Sequence, residues 1–374
     1  MNILSLKVNR YRNIEQEIIN PSENMNIIYG NNAQGKTNLL EAIWLFTGGK
    51  SFRGNKDNEL IKFGEKEAKL EIQLFTEGRS QDFEILIKKN KRQCSINGIY
   101  KNSMASIVGK FCSVIFSPDH LSLIKDGPMT RRKLIDAAIC QIKPSYIKLL
   151  SRYNKNLNER NALLKAITNN SNLIKTIDIW NENLSILGEL IVKERIKYID
   201  ILREYSTQIY KGISKDKEKF DIKYQMSFSK SQSITEQTDV KCIIKSILED
   251  NIKTDIKLGY TQAGPHKDDL NILINDKLAR NFASQGQSRS SVLAIKLSEA
   301  KILKEKTGEN PVILLDDVLS ELDTMRQNYI INSLSNFQVF ITCCDPHAMT
   351  KLIHGKIFEM EDGLIKSQEK VGSN

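Results

Sequence analysis

The sequence has 374 residues, of which 27% are charged and 40% hydrophobic, as is ordinary for a soluble globular protein, and at about 150 residues per domain it allows two or three core-sized units. Its 55 Lys and Arg against 45 Asp and Glu give a net charge of +10, which favours an anionic partner, nucleic acid before an anionic membrane. The sequence shows no signal-peptide pattern, which argues against a secreted protein. It has no apolar run of the roughly 20 residues that a membrane span needs, and its six cysteines show no metal-ligand spacing. These observations argue against a membrane protein and a zinc protein. We expect a cytoplasmic protein with reduced thiols.

Strands dominate the first third of the predicted structure. Alternating apolar and polar residues between 68 and 97, with turns at 77–78 and near 90, predict an antiparallel meander with one exposed face. An apolar strand also precedes a glycine-rich loop at residue 30. The predicted strands cover residues 3–9, 14–19, 24–29, 68–75, 82–88, 93–97 and 114–116.

From residue 127 the hydrophobic period becomes helical. One helical run continues to about 166, a polar break follows at 169–172, and a second run covers about 176–211. This pattern fits either an antiparallel helical arm or two ordinary core helices, and both give an α-rich second lobe. Beyond them we predict a strand at 220–228, a polar loop at 229–239, a helix at 240–250 and a frayed polar tail after 366.

The glycine-rich loop matches the P-loop pattern G-x-x-x-x-G-K-T. Glycines let successive backbone N–H groups surround an anion at a helix N-terminus. Lys36 supplies charge for the β- and γ-phosphates, and Thr37 supplies a hydroxyl for Mg²⁺. A chance glycine turn before Lys-Thr is the alternative, but the flanking strand and helix favour nucleotide binding. The loop consists of Gly30, Asn31, Asn32, Ala33, Gln34, Gly35, Lys36 and Thr37.

A second acidic motif ends an apolar run at 311–317. A buried parallel strand delivers such carboxylates to the edge of an α/β sheet where ligands bind. We assign Asp316 to Mg²⁺ and Asp317 to orienting or deprotonating the attacking water. Without a P-loop this pattern would fit a strand that meets a turn equally well.

A third motif precedes the helical pattern that includes residues 292–297. Serine and glycine at a helix start expose N–H groups to an anion, although a simple helix cap has the same residues. The stretch resembles the signature sequence of ABC-type ATPases, and residues 320–323 follow the acids at the spacing of the dimer-contact loop of that superfamily. The residues of the motif are Ser284, Gln285, Gly286 and Gln287.

From residue 12 to about 358, the chain resembles the RecF family of ABC-type ATPases, which are related to the heads of SMC proteins. The resemblance implies an α/β ATPase head, with a mixed sheet and an antiparallel meander, and an α-helical second lobe with a long helical arm. Lobe I would comprise residues 1–126 and 301–374, and lobe II residues 127–300. The match is carried by residues 30–42, 116–118, 264–269, 284–287 and 315–323.

Several positions depart from the family pattern. Asp317 stands where most ABC enzymes have glutamate, as is usual in this family, and its shorter reach implies slow turnover. Lys267 replaces an arginine and loses that residue's bidentate contacts. Asp119 is the positional candidate for the glutamine that would monitor Mg²⁺. The other departures are Phe52 for His, Ser288 for Gln, and Cys343 and Cys344 for Thr.

The resemblance also implies a function: an ATP-dependent DNA-binding protein of recombinational repair and replication. An ATP-bound homodimer would clamp DNA at single-strand/double-strand junctions and help RecR and RecO to load RecA at gaps. Slow, DNA-stimulated ATP hydrolysis, with Lys36 and Asp317 as catalytic residues, would release the clamp. Besides the P-loop and the signature motif, the expected ATP contacts are Arg12, Asn38, Asp323 and Thr342, and the expected Mg²⁺ ligands are Thr37 and Asp316.

Basic residues near the P-loop sheet are the candidate DNA surface. For any single lysine a solvated surface position is the better explanation, and Arg12 and Arg53 could contact ATP instead of DNA. Among the histidines, His266 is the candidate for a site role, whereas His120, His347 and His354 read as structural. The DNA-binding candidates are Arg53, Lys88, Lys89, Lys91 and Arg92, with Arg10, Arg12 and Lys50 as further basic positions.

Two other classes of ATPase remain as alternatives. An ABC transporter motor subunit would usually have glutamate after Asp316 and would not predict the helical lobe. An overcoming-lysogenisation-type nuclease would need a catalytic domain, and the roughly 50 residues after Asp317 are too few for one.

Overall fold

The computed structural model describes residues 1–54, 56–89, 91–227, 238–346 and 354–371. The chain forms two compact units, one of residues 1–121 with 289–374 and one of residues 122–288. The functional lobe boundaries after residues 126 and 300 stay a prediction. His347 and all but the last two residues of the predicted 229–239 loop lie outside the described residues.

The predicted meander forms most of an antiparallel sheet in the first unit. Along the strand Glu67–Thr76, Leu70, Ile72 and Leu74 are buried and the residues between them are partly exposed, so the sheet has one solvent-facing side. The strands are β1 (Asn2–Tyr11), β2 (Ile14–Ile19), β4 (Glu67–Thr76), β5 (Arg79–Lys88), β6 (Lys91–Ile96) and β7 (Ile99–Lys101). Their order is β2-β1-β4-β5-β6-β7.

A second, mixed sheet in this unit carries the motifs. Its strands are β3 (Met25–Tyr29), β8 (Ser113–Phe116), β12 (Val312–Asp316), β13 (Val339–Cys343), β14 (Gly355–Glu361) and β15 (Leu364–Val371). The order is β15-β14-β3-β13-β12-β8, and all neighbours are parallel except β14 and β15. The expectation of a frayed tail after residue 366 is therefore wrong up to Val371, because Asp362 and Gly363, both at positive φ, form a hairpin turn.

Helix α1 (Lys36–Leu45) joins both sheets into one hydrophobic core. Its Leu39, Leu40 and Ile43 are fully buried in a cluster that contains Leu70 of the antiparallel sheet and Phe340 of the mixed sheet. This packing fixes the helix N-terminus that follows the P-loop. The chain also includes α9 (Gln285–Thr307), α10 (Thr324–Ser333) and short 3-10 helices at Asp57–Leu60, Met104–Ser106, Pro118–Leu121, Ser171–Thr176 and Leu319–Glu321.

The second unit is mainly helical. It contains α2 (Ser122–Lys125), α3 (Pro128–Ile142), α4 (Ser145–Ile167), α5 (Ile177–Ser214), α6 (Val240–Asp250), α7 (Ile252–Leu258) and α8 (Ala279–Phe282). A three-stranded sheet, β11-β10-β9, is formed by β9 (Phe220–Gln225), β10 (Asp269–Ile274) and β11 (Lys277–Leu278). The single helix predicted for 127–166 is two helices, because Pro144 lacks an N–H and disfavours helical geometry at Lys143.

The two long helices are core helices of this unit. Buried residues occur along α5 from Ile177 to Tyr210, and the helix packs against α3, α4, α6 and β9. At one end Leu164 and Ile167 of α4 pack against Ile177. Within the described ranges, no helix combines the length and hydropathy required to cross a membrane.

Candidate nucleotide-binding site

The register of the mixed sheet brings the P-loop and the acidic motif to one edge. Asp316, the last residue of β12, pairs with Thr342 of β13, and Thr342 pairs with Ile28 of β3, two residues before Gly30. Because the strands are parallel, their carboxyl ends lie together where α/β sheets bind ligands. Thr37 and Asp316, which are 279 positions apart in sequence, thus meet through strand pairing.

The P-loop requires glycine at its two glycine positions. A Cβ on Gly30 would lie 2.2 Å from the carbonyl oxygen of Met360, and one on Gly35, at φ 110°, would lie 2.7 Å from Oδ1 of Asn13. Asn13 also donates from Nδ2 to the Gln34 carbonyl at 3.1 Å, which accepts a further bond from the Gly363 amide at 2.9 Å. The loop is therefore held by β14, by the turn before β15 and by the β1–β2 turn.

Lys36 lies over this loop rather than in solvent, with 5% of its surface exposed. Its ammonium donates to the carbonyls of Gly30 and, at 3.1 Å, Asn31, and lies 3.7 Å from the thiol of Cys344. Cys344 is exposed, whereas burial raises the pKa of the neighbouring Cys343 thiol to about 12, so Cys343 stays protonated in the core.

A compact group of oxygen atoms lies between Thr37 and the acidic motif. The Thr37 hydroxyl donates to Oδ1 of Asp316 at 2.8 Å, and the Thr342 hydroxyl donates to the same oxygen at 2.9 Å. Burial raises the pKa of the Asp316 carboxyl, while these two hydrogen bonds oppose the rise. A hydroxyl beside a buried carboxylate is a donor set of hard oxygen atoms and fits Mg²⁺.

Asp317 holds an unusual backbone conformation beside this group. Its φ is 54°, a left-handed value, and its amide donates to the Thr342 hydroxyl at 2.9 Å. The Ser320 hydroxyl donates to the Asp317 carbonyl at 2.8 Å. Non-glycine residues in this region of φ/ψ space are strained and cluster at functional sites.

Arg12, Asn38 and Arg53 meet at the start of α1. Arg53 donates from Nη1 to Oδ1 of Asn38 at 2.9 Å, and Asn38 donates from Nδ2 to Oδ1 of Asn13 at 2.8 Å. Arg12 pairs with the buried carboxylate of Glu41. Arg12, Asn38 and Arg53 line an open groove of about 860 Å³. The fully exposed Phe63 lines the same groove.

The signature motif caps helix α9 in the second unit. The Gln287 amide donates to the Ser284 hydroxyl at 3.2 Å, and the Ser284 amide donates to the side-chain oxygen of Gln287 at 2.8 Å. This reciprocal pair is a capping box. Gln285 and Gly286 begin the helix, and Ser284 and Gln285 are exposed. Asp323 similarly caps α10 by accepting from the Arg326 amide at 3.0 Å.

The candidate DNA-binding residues have different surroundings. Arg53, Lys89 and Lys91 are exposed, and Lys88 is about half exposed with an ion pair to Glu67 at 3.3 Å. Arg92 differs, since its side chain is only 7% exposed and donates to the Gly49 carbonyl and to Asp57. Its guanidinium is thus the least accessible of the five.

Two residues of this site had no assigned role in the sequence. Asn13 bridges the P-loop to Asn38, and Glu41 anchors Arg12. The sequence does indicate a role for Glu41, because a carboxylate within the apolar run of residues 39–45 needs hydrogen-bonding or ionic partners. It indicates none for Asn13, since its partners are distant in sequence. Asp119, the candidate Mg²⁺ monitor, is exposed in the Pro118–Leu121 helix.

The chain is similar to known proteins in both sequence and structure. The model of the AAA domain family matches residues 5–329. The DNA replication and repair protein RecF of Ruminiclostridium cellulolyticum is 40% identical over 372 residues, which cover 98% of this chain and all of that protein. A solved structure of the recombination mediator protein RecF with ATP, of the RecFOR pathway, has a TM-score of 0.91 and 38% identity over 99% of this chain and 98% of that one.

The Smc head domain of Pyrococcus furiosus shares the fold, with a TM-score of 0.56 and 17% identity over 99% of this chain and 96% of that one. The full-length match to RecF proteins, together with the P-loop, the acidic strand end and the signature motif, shows that this chain belongs to the RecF family of ABC-type ATPase-fold DNA replication and repair proteins.

Proposed function

We propose that this protein is an ATP-dependent DNA clamp in which ATP and Mg²⁺ join two copies of the chain. The observation that carries the proposal is the contact of 2.8 Å between the Thr37 hydroxyl and Asp316, directly after the phosphate-cradling loop. ATP as the ligand is supported by the RecF–ATP structure, which is 38% identical to this chain.

The nucleotide would bind to both the P-loop and the open groove at the start of α1. Backbone amides of residues 30–37 would surround its phosphates, and the N-terminus of α1 would favour their negative charge. The groove lined by Asn13, Asn38 and Arg53 would take the sugar and the base, with Phe63 available to stack on the base. Lys36 would turn from the P-loop carbonyls to the β- and γ-phosphates.

Hydrolysis would depend on the oxygen group at the sheet edge. Thr37 and Asp316 would hold Mg²⁺, which neutralises charge on the phosphates when bound. Asp317 would orient the attacking water and accept its proton. Thr342 fixes both acids, since its hydroxyl donates to Asp316 and accepts from the Asp317 amide. The short side chain of Asp317 agrees with a weak ATPase.

The signature motif would complete the site in a second copy. The N-terminus of α9, with Ser284, Gln285, Gly286 and Gln287, would contact the γ-phosphate held by Lys36 of the partner copy, and Asp323 would lie at the same dimer contact. ATP would thus act as an assembly switch, because it binds the dimer better than the monomer. Hydrolysis would separate the copies.

The ATP-bound dimer would hold duplex DNA at single-strand/double-strand junctions. Exposed cations on the first unit, Lys88, Lys89 and Lys91, supply positive charge for the phosphate backbone. Assistance to RecR and RecO in loading RecA, and stimulation of the ATPase by DNA, are further parts of this proposal. They are supported by family membership and by the RecFOR description of the solved relative.

Sedimentation of the full chain with ATP and Mg²⁺, with ADP and without nucleotide tests the central step. We expect a dimer only in the sample with ATP and Mg²⁺. Ser284→Arg should remain monomeric there while still binding ATP. Ser151→Arg, the same change at an exposed position of α4, is the matched control and should dimerise. The same monomer fraction with and without ATP and Mg²⁺ would contradict the proposal.

A further inference from the structure

Residues 264–269, Gly-Pro-His-Lys-Asp-Asp, form an unusually constrained loop in the second unit. The fully buried carboxylate of Asp268 accepts from the Tyr224 hydroxyl and, at 2.8 Å, from the Ser227 amide. Asp269 accepts two bonds from Arg131, at 2.7 and 3.0 Å. Each acid is therefore used to hold the loop.

The remaining residues of the loop are fixed in the same way. The Pro265 carbonyl accepts from Arg195 at 2.6 Å. His266 lies between the Tyr153 hydroxyl at 2.8 Å and the Thr261 carbonyl at 3.0 Å. Because a carbonyl only accepts, Nε2 of His266 carries the proton and Nδ1 accepts from Tyr153.

Lys267 is the exception within this loop. Of residues 264–269, all of which the structure describes, it alone is exposed. Its ammonium lies 5.1 Å from the centroid of the Tyr260 ring, and Tyr260 is 42% exposed. The other side chains of the loop are buried or hydrogen-bonded within the protein, and the loop thus holds one exposed cation beside one aromatic ring. Rigid support of this kind is typical of a binding site.

Three exposed lysines lie on the elements next to Tyr260, although two exposed acids, Glu249 and Asp250, end α6 just before α7. Lys253 and Lys257 lie four residues apart on α7 and are exposed. Lys165 is exposed as well, and its Cγ would lie 3.1 Å from a Cβ on Gly259, next to Tyr260. The acid of α7, Asp255, is fully buried against Arg160 and does not offset this charge at the surface.

We propose that Tyr260 and Lys267, flanked by Lys165 and Lys257, bind an unpaired segment of a DNA strand. The Tyr260 ring would stack on one base through the face opposite Lys267, and the lysines would contact the phosphates on either side of that base. An aromatic face bordered by cations is the pattern that recognises single strands, because only an unpaired base offers its face for stacking. This inference rests on the proposed DNA-binding function and adds a site whose residues are not among those proposed to bind the nucleotide.

The test compares the binding of three DNA probes to the full chain with ATP and Mg²⁺. The probes are a blunt duplex of about 20 base pairs, the same duplex with a tail of about 10 nucleotides, and the tail alone, sizes that match a single-strand site. Tyr260→Leu should weaken the tailed probe about tenfold through loss of one stacked base. Tyr260→Phe should retain the affinity, and neither variant should change binding of the blunt duplex.

Lys267→Gln should weaken the tailed probe and reduce the slope of log affinity against log salt by about 0.7, the value for one phosphate contact on a single strand. Lys155→Gln, at an exposed position of α4 outside the patch, is the matched control and should bind like the wild type. Photocrosslinking of a tail that contains 5-iododeoxyuridine should label a peptide with Tyr260, and Tyr260→Leu should lose the label.

Two results separate this inference from the proposed function. If the wild type prefers the tailed probe and Tyr260→Leu and Lys267→Gln bind it equally well, the single-strand site is wrong and the clamp stands. If the wild type binds none of the three probes with ATP and Mg²⁺, the DNA-binding function itself is contradicted. Equal loss on the blunt and tailed duplexes would identify the patch as a duplex contact and would also overturn the inference.

Discussion

Arg12, which lines the open groove beside α1, forms a bidentate ion pair with Glu41. Nε of Arg12 donates to Oε2 of Glu41 at 2.9 Å, and Nη2 donates to Oε1 at 3.0 Å. Glu41 is fully buried and also accepts from the Tyr11 and Ser51 hydroxyls. One carboxylate therefore connects the β1–β2 turn, helix α1 and the loop that carries Arg53.

Loss of this carboxylate should destabilise the first unit. Glu41→Gln should lower the free energy of unfolding by about 3 kcal/mol, the lower end for breaking a buried pair, because the Arg12 side chain is 14% exposed. Trp44 fluorescence during urea unfolding reports this unit in a Trp180→Phe background, since the chain has two tryptophans. Glu23→Gln, at an exposed position, should change little, and an equal effect of both variants would contradict the assigned role of Glu41.

Removal of the proposed base should separate ATP hydrolysis from ATP binding. Asn tolerates the left-handed backbone of residue 317 as well as Asp does, so Asp317→Asn should preserve the local structure. Hydrolysis should fall about 100-fold or more, the usual contribution of a general base. ATP affinity and ATP-dependent dimerisation should remain.

Turnover assays together with sedimentation check this separation. Asp126→Asn, at an exposed carboxylate outside the site, is the control and should hydrolyse ATP at the wild-type rate. Unchanged hydrolysis in Asp317→Asn would exclude Asp317 as the base, and loss of dimerisation would assign it to assembly instead.

A buried ion pair in the second unit should be costly to break. Arg160 and Asp255 are both fully buried and lie 2.7 Å apart, and Arg160 also donates to Thr261 and Asn181. Arg160→Met should destabilise the unit by about 3–5 kcal/mol because it leaves the Asp255 charge unpaired. Urea unfolding followed by Trp180 fluorescence in a Trp44→Phe background measures this loss.

The design includes two comparisons. Lys155→Met breaks an exposed pair with Glu159 and should cost no more than about 0.5 kcal/mol. Adding Asp255→Leu to Arg160→Met should recover part of the loss, since the double variant leaves no unpaired charge. If Arg160→Met were as stable as Lys155→Met, the pair would not stabilise the fold.

Much of the candidate site could be predicted because its signals are local. A strand, a glycine loop and a helix follow one another at residues 25–45, and the apolar run before Asp316 indicates a buried strand by itself. In a parallel sheet both strands end at the same edge, so the two motifs are expected to lie near each other. The position of β13 between the two strands, and with it the Thr342 hydroxyl beside Asp316, is seen only in the structure.

The parts that sequence could not predict depend on partners far along the chain. Gln34 is held by the amides of Asp362 and Gly363, more than 300 residues away. Arg92 resembles its exposed basic neighbours in sequence, yet its side chain is buried and pairs with Asp57 of the 3-10 helix Asp57–Leu60. Two differences from the predicted elements do have local causes in the sequence. Pro144 marks a helix break, and the Asp362-Gly363 turn marks a hairpin.

His266 should make the second unit sensitive to acid. Burial lowers the pKa of its imidazole from 6.5 to about 4, and the Thr261 carbonyl bond only partly opposes this. The unfolded state therefore binds the proton first as pH falls, so stability is complete above pH 6.5 and is lost between 6.5 and 4. This difference in pKa between the two states predicts that the free energy of unfolding falls by about 2 kcal/mol by pH 5.

Urea unfolding followed by Trp180 fluorescence at pH 7 and pH 5, again in the Trp44→Phe background, measures this loss. His266→Gln removes the titrating group, retains a donor and an acceptor, and should lose about 2 kcal/mol less than the wild type over the same interval. His354→Gln, at an exposed position of the first unit, controls for removal of a histidine as such and should follow the wild type. Parallel pH profiles for the wild type and His266→Gln would contradict the prediction, because they would show that the pKa of the imidazole is the same in the folded and unfolded states. The folded protein would then accept the proton on Nδ1 near pH 6.5, and the bond from the Tyr153 hydroxyl to Nδ1 would have to reverse at that pH.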